Sequence, residues 1–134
     1  MPTDYTLHSE APSLTEFRAL LTHREFRAAD LPDERLMRLL TGATFVETAR
    51  GPEGELLGCA RAISDGAWVT HLSQVLVYAH AERRGIGRAL VERIAARSGP
   101  ECTLMLVANE HSHAFYTQIG FVSSAGSMTR GRLR

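Results

Sequence analysis

Apolar residues recur at helical spacing in two segments of the first third of the chain. In the first, Ser13 caps a helix that runs over residues 13–22, and Glu16 follows three positions later, where it completes a capping box. The second helix opens at Pro32 and Asp33 and ends at residue 42, a glycine. Each helix has one apolar face. The apolar positions are Leu14, Phe17, Leu20 and Leu21 in the first helix and Leu36, Leu39 and Leu40 in the second.

Strand patterns surround and follow these helices. A short strand is predicted at residues 5–8, and three more follow at residues 44–49, 56–63 and 68–78. The turn sequences RGPEGE and SDG separate the last three strands. Consecutive strands joined by short turns predict an antiparallel meander.

The second half of the chain begins with a helix predicted at residues 84–97. Its apolar positions Ile86, Leu90 and Ile94 recur at intervals of four. Residues 103–108 are then an apolar run, for which we expect a strand at the centre of a covered sheet.

A short helix at residues 112–119 and a last edge strand at residues 128–134 complete the predicted order. This order predicts an α+β fold with one parallel crossover, between the fourth and fifth strands. A chain of 134 residues is long enough for one hydrophobic core, so we expect a single domain over residues 1–134.

The overall charge gives no reason to expect a nucleic-acid or membrane partner, because 15 basic residues balance 15 acidic ones. Cys59 and Cys102 lie in apolar runs without metal-ligand spacing, so we interpret both as core residues and expect no metal site. The N-terminal sequence lacks a signal-peptide pattern, and no apolar run has membrane-spanning length. We therefore expect a cytoplasmic protein.

A strand, a polar turn and a Gly-x-Gly pair follow one another in VLVYAHAERRGIGRALVERI. Gly85 and Gly87 have no side chains to block a ligand, so backbone N–H groups of the first helical turn can approach anionic oxygens. Three arginines add positive charge around this turn. They are Arg83, Arg84 and Arg88. The segment therefore predicts a diphosphate site.

Two other glycine motifs fail on spacing. The dinucleotide fingerprint needs a third small residue where this chain has Leu90, and a Walker A loop needs a Gly-Lys-Ser/Thr ending where it has Gly87, Arg88 and Ala89. A glycine turn that only connects strand and helix remains the alternative.

A second segment, NEHSHAFYTQIGF, places an aromatic pair on a short helix. Its pattern positions are Asn109, Phe115, Tyr116, Gly120 and Phe121. Together with the glycine turn, the segment resembles the GNAT superfamily of acetyl-CoA dependent N-acetyltransferases. The resemblance implies a GNAT-like domain with a mixed, mostly antiparallel sheet of six to seven strands and about four flanking helices.

The resemblance also implies how acetyl-CoA is held. Backbone amides around the glycine turn would bind its diphosphate, those of Arg83, Arg84, Gly85, Ile86, Gly87 and Arg88. Main-chain groups of Leu76, Val77 and Tyr78 would pair with the pantetheine arm as an added strand. Asn109 would bond the coenzyme, cap the following helix, or do both.

The chain departs from the family pattern at Glu82, where arginine or glutamine is usual. A carboxylate beside a diphosphate would repel it. Either Glu82 points away into a structural contact, or Arg83 takes over its electrostatic role.

Two side chains are candidates for the catalytic chemistry. A tyrosine phenol, with a reference pKa near 10, is a weaker acid than a thiol near 8.5, so we expect Tyr116 to hydrogen-bond the leaving sulfur rather than protonate it fully. Its alternative role is a buried phenol that satisfies a backbone group. Histidine has an intrinsic pKa that suits a general base, so His71 is the candidate base. A base is needed because holding an alkylamine neutral at pH 7 costs about 4.6 kcal/mol. Glu47 and Asp65 are candidate acceptor contacts.

The resemblance implies direct acetyl transfer from acetyl-CoA to a primary amine of a small molecule or protein, without a metal. The alternative is a non-catalytic coenzyme A binding module that acts as a sensor or scaffold. Family members often pair through their sheets or C-terminal strands, so a homodimer is also implied.

Overall fold

The computed structural model describes residues 4–134. Residues 1–3 lie outside the described part. They belong to the N-terminal sequence in which no signal-peptide pattern was found. The described chain contains five strands, four α-helices and two 3-10 turns. In chain order these are β1 (Thr6–His8), α1 (Leu14–His23), a turn at Arg27–Asp30, α2 (Asp33–Thr41), β2 (Phe45–Arg50), β3 (Leu56–Ser64), β4 (Val69–Val77), a turn at Ala79–Ala81, α3 (Ile86–Ser98), β5 (Thr103–Met105) and α4 (His113–Gln118).

One five-stranded sheet organises the molecule, in the order β1-β2-β3-β4-β5. The first four strands pair antiparallel, and β5 pairs parallel to β4 through the crossover helix α3. The meander and the crossover are as predicted. The expected six to seven strands are wrong, because the sheet has five.

Two predictions about strands fail. Residues 128–134 form no strand, and Met128 and Leu133 are 92% and 102% exposed. The apolar run 103–108 does not lie at the centre of the sheet: β5 is an edge strand, and Val107 beyond it is 76% exposed. An apolar run looks alike at an edge and at a centre, and here the described chain supplies no strand for the outer side of β5.

Side chains of the sheet alternate between two apolar layers. On one face, α3 packs Leu90 and Ile94 against Ala60 and other small residues of β3. On the opposite face, α1 and α2 pack on Cys59 and other residues of β3 and β4. Burial raises the pKa of the Cys59 thiol to about 12, which agrees with a core role for this cysteine.

The predicted capping box is present at the start of α1. The Ser13 hydroxyl accepts from the Glu16 amide at 3.1 Å, and the Ser13 amide donates to the Glu16 carboxylate at 2.9 Å. Arg50 of β2 donates to both oxygens of this carboxylate, at 2.7 and 3.0 Å. Chiefly through the bond from Arg50, the pKa of Glu16 falls to about 2. The cap thereby ties α1 to the sheet.

This pair makes stability depend on pH. Glu16→Gln keeps an amide that can complete the capping box but removes the charge that Arg50 binds. We expect it to lower the free energy of unfolding by about 1–2 kcal/mol at pH 7, since the half-exposed carboxylate is partly screened by solvent. The folded pKa lies below the unfolded value, so the wild-type advantage is complete above about pH 4.5 and disappears as the pH falls towards 2.

Urea unfolding at pH 7 and at acidic pH measures this difference. Glu110→Gln, at an exposed position in the segment before α4, is the matched control. A difference between wild type and Glu16→Gln that stays constant across pH would contradict the assignment.

Candidate active site

Strands β4 and β5 separate along part of their length. β5 pairs only with residues Val69, Thr70 and His71 of β4, although β4 continues to Val77. Within the described chain, residues 72–77 therefore have a strand neighbour on the β3 side alone. The result is a gap beside β4 that begins after His71.

The backbone of β4 offers hydrogen-bonding groups to this gap. The Tyr78 amide donates to the Leu57 carbonyl of β3 at 2.9 Å. Successive residues of a strand direct their polar backbone groups to opposite edges, so those of Val77 face the gap. Of Leu76, Val77 and Tyr78, Val77 is thus the residue whose backbone can pair with an extended ligand there.

A bulge in β4 lies at the start of the gap. Gln74 is opposite Arg61 of β3 and Leu72 is opposite Ala62, so Ser73 is an extra residue without a partner. Bulges of this kind re-aim the chain and are frequent beside active sites. The Ser73 hydroxyl lies 3.1 Å from Nδ1 of the exposed His71. His71 therefore stands where the two strands part.

The glycine turn leads from the end of β4 into α3. Arg83 and Gly85 have positive φ angles, 64° and 79°, and a Cβ at Gly85 would meet open space. The first bond of the helix runs from the Ala89 amide to the Gly85 carbonyl at 2.9 Å. The amides of residues 86–88 precede this ladder and carry the positive end of the helix dipole.

The charged residues of the turn divide into two groups. Glu82 forms an ion pair with Arg24 of the α1 end at 2.8 Å, and Arg84 pairs with Asp4. Among the described residues, Arg83 and Arg88 form no ion pair, and both are exposed. The Glu82 carboxylate is thus held in a structural contact, and two guanidinium groups stay available at the turn.

Helix α4 closes over the same region. The Phe115 ring covers Gly87, so a Cβ at Gly87 would lie 3.1 Å from Phe115 Cζ. Tyr116 is half-buried and meets Phe121 edge to face at 5.5 Å between ring centroids. Burial raises the pKa of Tyr116, which keeps its phenol protonated at neutral pH.

The Tyr116 hydroxyl makes no hydrogen bond to any residue of the described chain. The hydroxyl is also not sealed from solvent. The alternative role, a phenol that satisfies a backbone group, is therefore not what residues 4–134 show. The hydroxyl is free to donate to a ligand.

Asn109 acts at the start of α4. Its side-chain oxygen accepts from the Ser112 amide at 2.9 Å, and its backbone oxygen accepts from the His113 amide at 3.0 Å. These bonds close the turn that leads into α4, whose N-cap residue is Ser112 and has no side-chain cap. The side-chain NH2 group keeps its donors for a second contact.

His71 and Tyr116 line one open groove of about 890 Å3, together with residues 103–108 and the segment after α4. A second cleft of about 650 Å3 lies beside α1 and is lined by Arg18, His23 and Tyr78. The first groove brings both predicted catalytic side chains to one cavity.

Two other candidate contacts prove to be structural. Glu47 is wholly buried on the α3 side of the sheet, where it accepts from Ser9 at 2.9 Å and from Arg97 at 3.3 Å. Asp65 accepts from three backbone amides of the turn before β4, chiefly that of Ala67, and these bonds lower its pKa. Neither carboxylate faces the groove lined by His71 and Tyr116.

Two residues on β3 and β4 were missed by sequence reasoning. Ser73 is marked by the bulge, which depends on pairing with β3 and has no local signal. Arg61 is buried at 9% exposure and donates its Nε to the Gln74 side-chain oxygen at 2.7 Å. Its signal was an arginine inside the apolar run LLGCARAI.

Comparison with known families decides the classification. Residues 8–121 match the Acetyltransferase (GNAT) family. The chain belongs to this family. The match covers both the glycine turn and the aromatic segment, so the GNAT resemblance of the sequence is confirmed, and the chain is an acetyltransferase of a family that uses acetyl-CoA as cosubstrate.

Solved structures share the GNAT fold of this acetyltransferase. An acetyltransferase from Trypanosoma brucei has a TM-score of 0.71 at 24% identity, with 96% of this chain and 100% of that chain covered. A GNAT family protein from Streptococcus pneumoniae has 0.72 at 19% identity, with 96% and 98% covered. Glucosamine-6-phosphate N-acetyltransferase from Arabidopsis thaliana has 0.74 at 13% identity, with 95% and 97% covered. No curated protein matches the sequence of this GNAT chain.

Membrane-spanning helices and metal-binding clusters are both absent from the described part of this GNAT chain. No helix within residues 4–134 is long and apolar enough to cross a membrane. The same residues contain no group of three or more His, Cys, Asp or Glu side chains that could hold a metal ion.

Proposed function

We propose that this acetyltransferase transfers an acetyl group directly from acetyl-CoA to a primary amine of a small molecule or a protein. One observation carries the proposal: the open edge of β4 leads into the uncapped N-terminus of α3. A ligand with an extended amide arm and a diphosphate fits this sequence of groups.

The residues around the gap suit acetyl-CoA. Val77 would pair through its backbone with the pantetheine arm, and the amides of Ile86, Gly87 and Arg88 would hold the diphosphate. The exposed guanidinium groups of Arg83 and Arg88 would add positive charge. Acetyl-CoA supplies the activated thioester when bound.

His71 and Tyr116 would act on opposite sides of the transfer. His71, at the vertex of the gap, would accept the proton that the acceptor ammonium loses, so that a neutral amine attacks. Tyr116 would donate a hydrogen bond to the sulfur as the C–S bond breaks and the C–N bond forms, and the departing thiolate would take up the second proton of the attacking nitrogen. The raised pKa of Tyr116 favours this donation over complete proton transfer.

The partners, location and oligomeric state of the enzyme are also proposed. The balanced charge of the chain supports an enzyme that does not need nucleic acid or a membrane as partner, and a cytoplasmic location stays a prediction. A homodimer is proposed by analogy with the family alone.

Isothermal titration with acetyl-CoA, with ATP and NAD as controls, tests the binding half of the proposal. We expect saturable binding of acetyl-CoA alone. Absence of binding would reduce the glycine turn to a structural connection. Thiol release across a broad panel of primary amines then tests transfer, and binding without turnover on any amine would favour a coenzyme A sensor or scaffold.

A further inference from the structure

Arg61 is a buried cation without a buried anion. Arg61 belongs to β3, and it is 9% exposed. Its one hydrogen-bond partner among residues 4–134 is the neutral amide oxygen of Gln74, at 2.7 Å from Nε. No carboxylate of the described chain lies within ion-pair distance of it.

The other arginines packed against this sheet form ion pairs with carboxylates. Arg50 meets the carboxylates of Glu16 and Glu10, and Arg97 meets that of Glu47. Burial of a charge is costly unless an opposite charge or a full set of hydrogen bonds compensates it. Arg61 is the exception to this pairing.

The free end of the Arg61 side chain is its terminal pair of nitrogens. Gln74 occupies Nε, while Nη1 and Nη2 have no protein partner in the described chain. Neither nitrogen is sealed from solvent. Two parallel N–H groups at the end of a guanidinium match the two oxygens of a carboxylate or phosphate.

Arg61 is linked through Gln74 to the start of the gap between β4 and β5. Its partner Gln74 adjoins the bulged Ser73, where the gap between β4 and β5 begins. Alternation along β3 puts Arg61 on the face shared with Cys59, towards α1 and α2. The diphosphate turn at the start of α3 lies beyond the far end of β4, so Arg61 is not part of the proposed coenzyme site.

We propose that Arg61 is a specificity-determining residue that binds an anionic group on the acceptor amine. The preferred acceptors are then amines that also carry a carboxylate or a phosphate. Gln74 acts as a positioning residue, since it holds Nε and leaves the terminal fork to the ligand. This inference rests on the proposed transfer to an amine and names the class of acceptor.

Steady-state kinetics with three matched amine series test the inference. The series are ω-amino carboxylates, aminoalkyl phosphates and neutral alkylamines, each with two to six carbons. We expect wild-type kcat/KM for the better anionic series to exceed that for the alkylamines by about 30-fold or more. The series that is preferred identifies the anion.

Arg61→Gln should abolish this preference by raising KM for the anionic amines, with the affinity for acetyl-CoA unchanged. Arg27→Gln, which removes an exposed arginine outside the sheet, should behave as wild type. Arg61→Met serves as a second variant if the glutamine variant fails to fold, since an apolar chain suits a buried position. Equal activity on all three series, or a preference that survives loss of Arg61, would overturn the inference and leave acetyl transfer intact.

A binding experiment separates this outcome from a failure of the proposed function. Butanoate and inorganic phosphate are titrated into wild type and Arg61→Gln, and binding is followed by thermal shift and calorimetry without any turnover. Saturable binding of one anion that is lost in the variant supports the anion site. Wild type and variant with identical responses would contradict it, whether or not an amine is acetylated.

Discussion

Arg88→Glu should weaken acetyl-CoA binding by about 30- to 150-fold at moderate salt, corresponding to about 2–3 kcal/mol. The substitution replaces a cation with an anion beside the amides that are proposed to hold the diphosphate. A carboxylate in the first turn of a helix favours the dipole, so the free energy of unfolding should stay the same or rise slightly. The variant thus separates binding from folding. Titration calorimetry and urea unfolding measure the two quantities.

Ala96→Glu is the control, because it adds the same carboxylate at an exposed position of the same helix, about two turns further along α3. Its acetyl-CoA affinity should stay within about twofold of wild type, since solvent and salt screen an exposed charge beyond about 10 Å. The weakening in Arg88→Glu should shrink as more salt is added. Equal affinities for Arg88→Glu and wild type would refute the diphosphate turn.

Tyr116→Phe should lower kcat by about 100-fold, with the affinity for acetyl-CoA changed by less than about threefold. The substitution deletes the hydroxyl, which has no partner in the described chain, and keeps the ring that meets Phe121 edge to face. Stability should therefore change little. Steady-state rates with saturating amine, together with a titration of acetyl-CoA, measure the split.

Tyr5→Phe is the control for this variant, because Tyr5 packs against the same apolar layer at the opposite edge of the sheet. Its rate should equal that of wild type.

A companion variant, His71→Ala, should lose rate at pH 7 and regain it as the pH approaches the pKa of the amine, since free amine then needs no base. Wild-type turnover in Tyr116→Phe would end its assigned role, and a loss in His71→Ala that persists at high pH would exclude a simple base.

Local features of this chain were predictable because they depend on residues a few positions apart. The capping box of Ser13 and Glu16 needs only the spacing of an N-terminal helical turn. The start of α3 after Gly85 needs only a residue that tolerates a positive φ, followed by an apolar stripe. The aromatic segment around Tyr116 was found in the same way, from a short pattern.

The errors concern how many strands surround a given strand. The apolar run 103–108 was assigned to the centre of a covered sheet, yet β5 has β4 on one side and no described strand on the other. Residues 128–134 were assigned to a last strand and form none. A strand's neighbours are set by segments far away in the chain, and hydropathy along the strand itself does not encode them.

By itself, the sequence determined the four helices, the first five strands and the glycine turn at the end of β4, and it named His71 and Tyr116 as candidates. Only the tertiary structure decided which charges are free. It pairs Glu82 with Arg24, 58 positions away, and leaves Arg61 with an amide in place of a carboxylate. The physical reason is that local structure follows from nearby backbone and side-chain geometry, while an ion pair depends on which distant residues the sheet brings within about 4 Å.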